Sequence, residues 1–203
     1  MINFPKADTV RKLMPYLGLM TLYSFLVAFI LLYVFNMKDN SDLRHISVMH
    51  SLLGIVISML LVFRTNTAYD RWWEGRRMWG ALTNNSRNLA LKLEPMLDAA
   101  SSDDREFFQA MIPNFAYAMK NHLREHFVEK EFTECALFPL SRLNRHEHVP
   151  SQISAALTRK VYELQRQGVF LPEHLLFFNG ELQSLMDICG SCERIHKTPI
   201  PFS

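Results

Sequence analysis

Two long apolar runs open the chain, and after them apolar and polar positions alternate at helical spacing almost to the end. Residues 13–35, LMPYLGLMTLYSFLVAFILLYVF, carry no charge. At about 1.5 Å per residue, a helix of that length spans roughly 34 Å, enough to cross a bilayer core. Residues 46–63, ISVMHSLLGIVISMLLVF, form a second run interrupted only by His50. That run is near the short end for a span, and the first span makes it credible as the return leg. Buried core helices of a soluble protein give the same pattern. A signal peptide would have a shorter apolar stretch and a small-residue cleavage site. The expectation is a membrane hairpin over residues 1–77, with spans at about 13–35 and 46–63.

The flanking charges orient it. Lys6, Arg11 and Lys12 precede the first run, and Arg64, Arg71, Arg76 and Arg77 follow the second. The connection 36–45 holds only Lys38 and Arg44, offset by Asp39 and Asp42. Basic residues concentrate on the side that stays in the cytoplasm, which puts both ends of the hairpin there and residues 36–45 outside. His50 is ionisable and inside a span, and so is a functional candidate by default, although its place near the outer end lets it reach interfacial water.

Residues 78–203 then read as a cytoplasmic helical region. A helical mixture runs from Met78 to about Leu97, and Ser101-Ser102-Asp103-Asp104 has the form of a cap with acid in the first turn. The next helix is expected to reach about Phe127, bent at Pro113. Residues 128–150 are the least regular and read as a long connection. Pro150-Ser151 opens a helix ending near Gly168, and Pro172 opens the last. No run alternates at period two for long enough to demand a strand. The fold class is all-α: a membrane helical hairpin continued by a cytoplasmic helical bundle.

Composition narrows the chemistry. The 203 residues are 49% hydrophobic and 21% charged, ordinary for a globular chain, so the membrane signal lies in the distribution and not in the average. A net charge of +2 gives no nucleic-acid surface. Three cysteines exclude a disulfide-stapled secreted scaffold.

The densest segment is Phe63-Arg64-Thr65-Asn66-Thr67-Ala68-Tyr69-Asp70-Arg71-Trp72-Trp73-Glu74-Gly75-Arg76-Arg77. An aromatic belt with a basic anchor accounts for Trp72, Trp73 and some arginines. It leaves Asn66, Thr67 and Asp70 unexplained. The segment resembles the signature of the bacterial branch of the bestrophin family, FRTN…YDRWWE(G/A)R(K/R)xWG, which closes the second membrane helix. The short N-terminus, the hairpin, the helical middle and the terminal Cys192-Glu193-Arg194-Ile195…Thr198-Pro199-Ile200-Pro201 resemble that branch as well. In that branch the TPIP segment leads into a second pair of membrane helices. This sequence ends at Ser203, and a fragment is the expectation.

The resemblance implies a passive channel for small monovalent ions, chloride or sodium, in a homopentamer with one axial pore in the cell (inner) membrane. Counting back from FRTN, it places a hydrophobic neck at Ile55, Met59 and Phe63. The i, i+4, i+8 spacing puts the three on one helical face, as it would equally for lipid-facing residues. Gly54 and Ser58 form a small-xxx-small pair on another face. A second constriction would lie at Leu171-Pro172-Glu173, where the family often has an apolar residue. Five Glu173 carboxylates would favour cations, so the expectation leans towards a monovalent cation pathway although many relatives pass chloride; alternatively, Glu173 only complements the positive end of its helix. The calcium site of animal relatives lies beyond a fourth membrane helix, so none is expected here. The rival is a non-conducting, membrane-anchored scaffold or an incomplete channel piece.

Other motifs tempt. His122-Leu-Arg-Glu125-His126 fits the H-x-x-E-H of inverted zincins, but no third ligand is marked. Cys189-Gly-Ser-Cys192 has no second pair for zinc and no βαβ context for redox work. Arg145-His146-Glu147-His148 lies in the irregular stretch and reads as solvated. No phosphate loop or nucleophile elbow occurs. The expectation is no enzyme, cofactor or resident metal.

Overall fold

The computed structural model describes residues 8–34, 41–97 and 100–198. The described residues form helices, turns and one isolated β-bridge between Cys135 and Phe138. Helix α1 covers Asp8–Phe29 and passes into a π turn at Ile30–Val34. Helix α2, Ser41–Leu93, runs unbroken from the second apolar run through the helical mixture that begins at Met78. No proline falls within it, and Ala81, Leu82, Leu89, Ala90 and Leu91 are strong helix formers. Part of the expected connection 36–45 is therefore helix; residues 35–40 lie outside the described residues.

The chain divides into two compact units, Met1–Val62 and Phe63–Ser203. In the first, every side chain described is exposed. Helices at Arg11–Tyr33 and Ser47–Met96 are long and apolar enough to cross a membrane. A pair of core helices would bury its leucines, and here Leu22 and Leu52 are 65% and 59% exposed. Apolar surface on this scale needs a non-aqueous surrounding or a partner.

The second unit has a core of its own. It is built from Leu82, Leu89 and Leu93 of α2, and from α3 (Ser102–Leu123), α4 (Val149–Arg166) and α5 (Pro172–Lys197). Phe115, Met119, Ile153, Leu157, Leu164, Phe178 and Leu185 are buried at its centre. Helix α3 packs on α4, and α4 on α5. One charged pair is buried with them. Lys160 Nζ of α4 lies 2.6 Å from Asp104 Oδ1 of α3. Burial pushes the Asp104 carboxyl up, but hydrogen bonds from Lys160 and Ser101 outweigh it and hold the group below its ordinary value.

The caps follow the sequence. The Ser101 hydroxyl accepts from Asp104 N at 3.2 Å, and Asp104 Oδ2 accepts from Ser101 N at 3.2 Å, a reciprocal box at the start of α3. At the other end α3 stops at Leu123, short of Phe127. Glu125 takes φ 52° and His126 N donates to Asn121 O at 3.1 Å, the left-handed closure usually given to glycine. Gly168, φ 79°, closes α4 in the same way. Between α3 and α4 the chain is pinned from below. Buried Asn114 donates from Nδ2 to Thr133 O at 2.8 Å and accepts from Thr133 N at 2.9 Å. Phe132, Cys135 and Leu143 of the same connection are buried in the core.

Candidate functional site

Ile55, Met59 and Phe63 stand four residues apart on α2, and their side chains are 65%, 58% and 57% exposed. They form an uncovered apolar row on one helical face. A Cβ added at Gly54 would meet nothing within 4 Å, so the small-residue face is open as well.

Immediately C-terminal, the signature takes on a structural role. Thr67 Oγ1 donates back to Phe63 O at 3.0 Å, absorbing a hydroxyl into the helix ladder. Tyr69, Trp72 and Trp73 form a chain of ring contacts with centroids 5.7 and 6.2 Å apart. Arg64, Thr65, Asn66 and Asp70 are exposed along the same stretch. Arg71 and Glu74, three residues apart and so neighbours on α2, reach the end of α5. The Arg71 guanidinium donates to Thr198 O, and to His196 O at 3.5 Å. Glu74 Oε1 accepts from Arg194 Nη2 at 2.6 Å. A guanidinium on the last carbonyls of a helix satisfies orphan acceptors and complements the negative end of the dipole. Higher on the two helices, Asn85 Nδ2 donates to Glu181 O at 2.8 Å and Lys92 Nζ pairs with Glu181 Oε1 at 2.6 Å. The polar residues of the segment thus fasten α2 to α5, a role that an aromatic-belt reading misses.

Glu173 is exposed in the first turn of α5, directly after Pro172 at the helix start. Apolar neighbours surround it on the surface, with Leu171, Leu176 and Phe177 57%, 80% and 55% exposed.

The tempting motifs resolve differently. His122 ends α3, whereas Glu125 and His126 lie past the left-handed turn, so the H-x-x-E-H residues do not share one helix face. Cys189 and Cys192 are free thiols buried on α5. Burial, with Glu193 adding to it, pushes the Cys189 thiol up to about 12. His148 caps α4, its Nδ1 accepting from Ser151 N at 3.1 Å. It also meets His122 across Glu193, a convergence that no local pattern announced.

The bacterial/fungal bestrophin protein family matches residues 1–203. A voltage-dependent anion channel-forming protein of Nostoc sp., alr2987, is 36% identical over 156 residues, covering 74% of this chain and 50% of that one. The protein of that description from Escherichia coli K12, YneE, is 27% identical over 190 residues, covering 90% and 60%. The chain thus spans about half the length of the first curated relatives it matches. Among solved structures, a variant of a bacterial bestrophin homologue from Klebsiella pneumoniae aligns with TM-score 0.79 at 24% identity, over 97% of this chain and 70% of that one. A second variant of that homologue aligns with TM-score 0.66 at 27% identity, over 75% and 57%.

Proposed function

The chain belongs to the bacterial and fungal bestrophin family of membrane proteins, and from this we propose that it is the subunit of a passive, anion-conducting channel. Five copies surround one pore, α2 faces the axis, and Ile55, Met59 and Phe63 form three apolar rings. The observation that carries this reading is that row: three large apolar side chains, exposed, leading into the signature segment at Phe63. Apolar rings of this kind restrict ions by dewetting and carry no charge that would choose among them. The names of the Nostoc and E. coli relatives support the sign of the ion.

Residues 1–77 make the membrane hairpin, N-terminus in the cytoplasm of the inner membrane, and residues 78–203 stand in the cytoplasm. Residues around Glu173 frame the cytoplasmic aperture, and its carboxylate opposes the anion there. The exposed Leu176 and Phe177 then lie against neighbouring subunits.

The test is mass by light scattering in detergent, followed by planar-bilayer recording of the same sample. A pentamer with unitary steps, reversing near the anion equilibrium potential in asymmetric salt, bears the proposal out. A monomer, or an oligomer that stays silent, overturns it in favour of a non-conducting anchor.

A further inference from the structure

Three side chains from three separate segments converge on one oxygen. His122 comes from the last turn of α3, His148 from the cap of α4, and Glu193 from the last turns of α5. His122 Nε2 is 2.8 Å from Glu193 Oε1 and His148 Nε2 is 2.5 Å from it. The ring centroids are 4.3 Å apart. One donor atom from each residue falls within 4.8 Å of both others. The side chains are 33%, 32% and 24% exposed, so the cluster is half-buried yet reachable.

The surroundings point to a ligand. The cluster opens into a cavity of about 440 Å³ whose walls also carry His126, His146 and His196, so five of the eight histidines of the chain line one space. Asn121, next to His122, lines the same cavity; it is 4% exposed, and neither Nδ2 nor Oδ1 has a partner among the described residues. A buried amide with both ends unpaired calls for a water or a bound group.

We propose that His122, His148 and Glu193 bind one divalent transition-metal ion of the zinc class, through two imidazole nitrogens and one carboxylate oxygen, with a fourth position open to cavity water. Two imidazoles and a carboxylate suit zinc or its neighbours in the first transition row, whereas magnesium and calcium take oxygen ligands almost exclusively. Donors around a tetrahedral zinc sit roughly 3.4 Å apart, so the two short contacts to Glu193 Oε1 open as the ion enters.

Binding sets the tautomer of His148. With the ion on Nε2, the proton moves to Nδ1, which donates to Ser151 Oγ, 2.6 Å away, and the cap from Ser151 N is given up. Protons compete with the ion for the same ligand atoms, so affinity falls in acid. The ion clamps α3, the start of α4 and α5. It does so one residue before Arg194, which holds Glu74 on α2.

The inference does not depend on conduction, and its test measures the metal itself. Tag-free full chain in detergent, stripped with chelator, is titrated with zinc chloride against a chromophoric competitor, then with cobalt chloride. The expected result is one zinc per chain, with visible cobalt bands of a four-coordinate site. Glu193→Gln, which keeps the shape and removes the charge, weakens binding about 100-fold or more, and His122→Ala does likewise. His126→Ala and His146→Ala change it by less than about threefold, as expected of residues outside the coordination shell. If Glu193→Gln fails to fold, the exposed-side His122→Ala and the cobalt spectrum carry the test. Absence of saturable zinc binding, or binding that both ligand variants leave intact, overturns the proposal.

Discussion

Arg71 of α2 donates its guanidinium to the main-chain carbonyl of Thr198, at the end of α5 and 127 residues away in sequence. With the Glu74–Arg194 pair it closes the polar end of the second unit. The two contacts differ in worth. Glu74 and Arg194 are exposed enough for water to screen them, so Glu74→Gln is expected to cost less than about 1 kcal/mol. Arg71→Ala removes charge-assisted bonds to carbonyls and is expected to cost about 1–2 kcal/mol. Thermal unfolding in detergent, read by circular dichroism, checks the order, and Arg71→Lys should restore only part of the loss.

The neck makes its own prediction. Met59→Ala removes the bulk of the middle ring, and single-channel conductance should rise several-fold while the oligomer mass stays unchanged. Equal conductance in the variant would place this face away from the ion path. Glu173→Gln should raise anion over cation permeability, read as a shift in reversal potential; no shift would remove Glu173 from the aperture.

Acid should weaken the second unit through two carboxyls. Asp104 and Glu193 both lie below their ordinary values of 3.8 and 4.5 in the fold. A carboxyl with a depressed folded value contributes stability that is complete above its unfolded value and is lost as pH falls through the folded one. Melting temperature should therefore hold above about pH 4.5 and fall below it. Lys160→Met leaves Asp104 buried without its cation and should cost about 3 kcal/mol at neutral pH.

Asn114→Ala removes both bonds to Thr133 and leaves that main chain unpaired, at an expected cost of about 1–3 kcal/mol. Limited proteolysis between residues 124 and 148 should speed up more than the global loss of stability predicts.

Cys189, its thiol pushed up to about 12 and its side chain buried, should resist maleimide at pH 8 in the folded chain and react at once in denaturant. Rapid native labelling would mean that α5 opens locally.

Much of this architecture could be read from the sequence because its signals are local. Ser101 with Asp104, Pro150 and Pro172 mark the starts of α3, α4 and α5, and the apolar runs at 13–35 and 46–63 stand out by length alone. The end of α3 was misplaced because Glu125 performs the left-handed turn that a glycine normally announces. The order of the connection after it rests on Asn114, a polar residue on a helix whose buried position no spacing rule reveals. The roles of Arg71 and Glu74 depend on α5, more than a hundred residues on. The His122–His148–Glu193 convergence needs three segments folded together, and the tempting H-x-x-E-H pointed at the wrong second histidine.

The exposure of every described side chain in the first unit has a practical consequence in colloid chemistry. The first unit carries apolar surface that water wets poorly, and the second carries a folded core of its own. In detergent that apolar surface is coated, and the particle that scatters light is protein plus a detergent collar. Stoichiometry is then obtained only when refractive index and ultraviolet absorbance are recorded together, so that the collar can be subtracted. Detergent chain length, matched to the apolar runs at 13–35 and 46–63, becomes a variable as important as salt or pH.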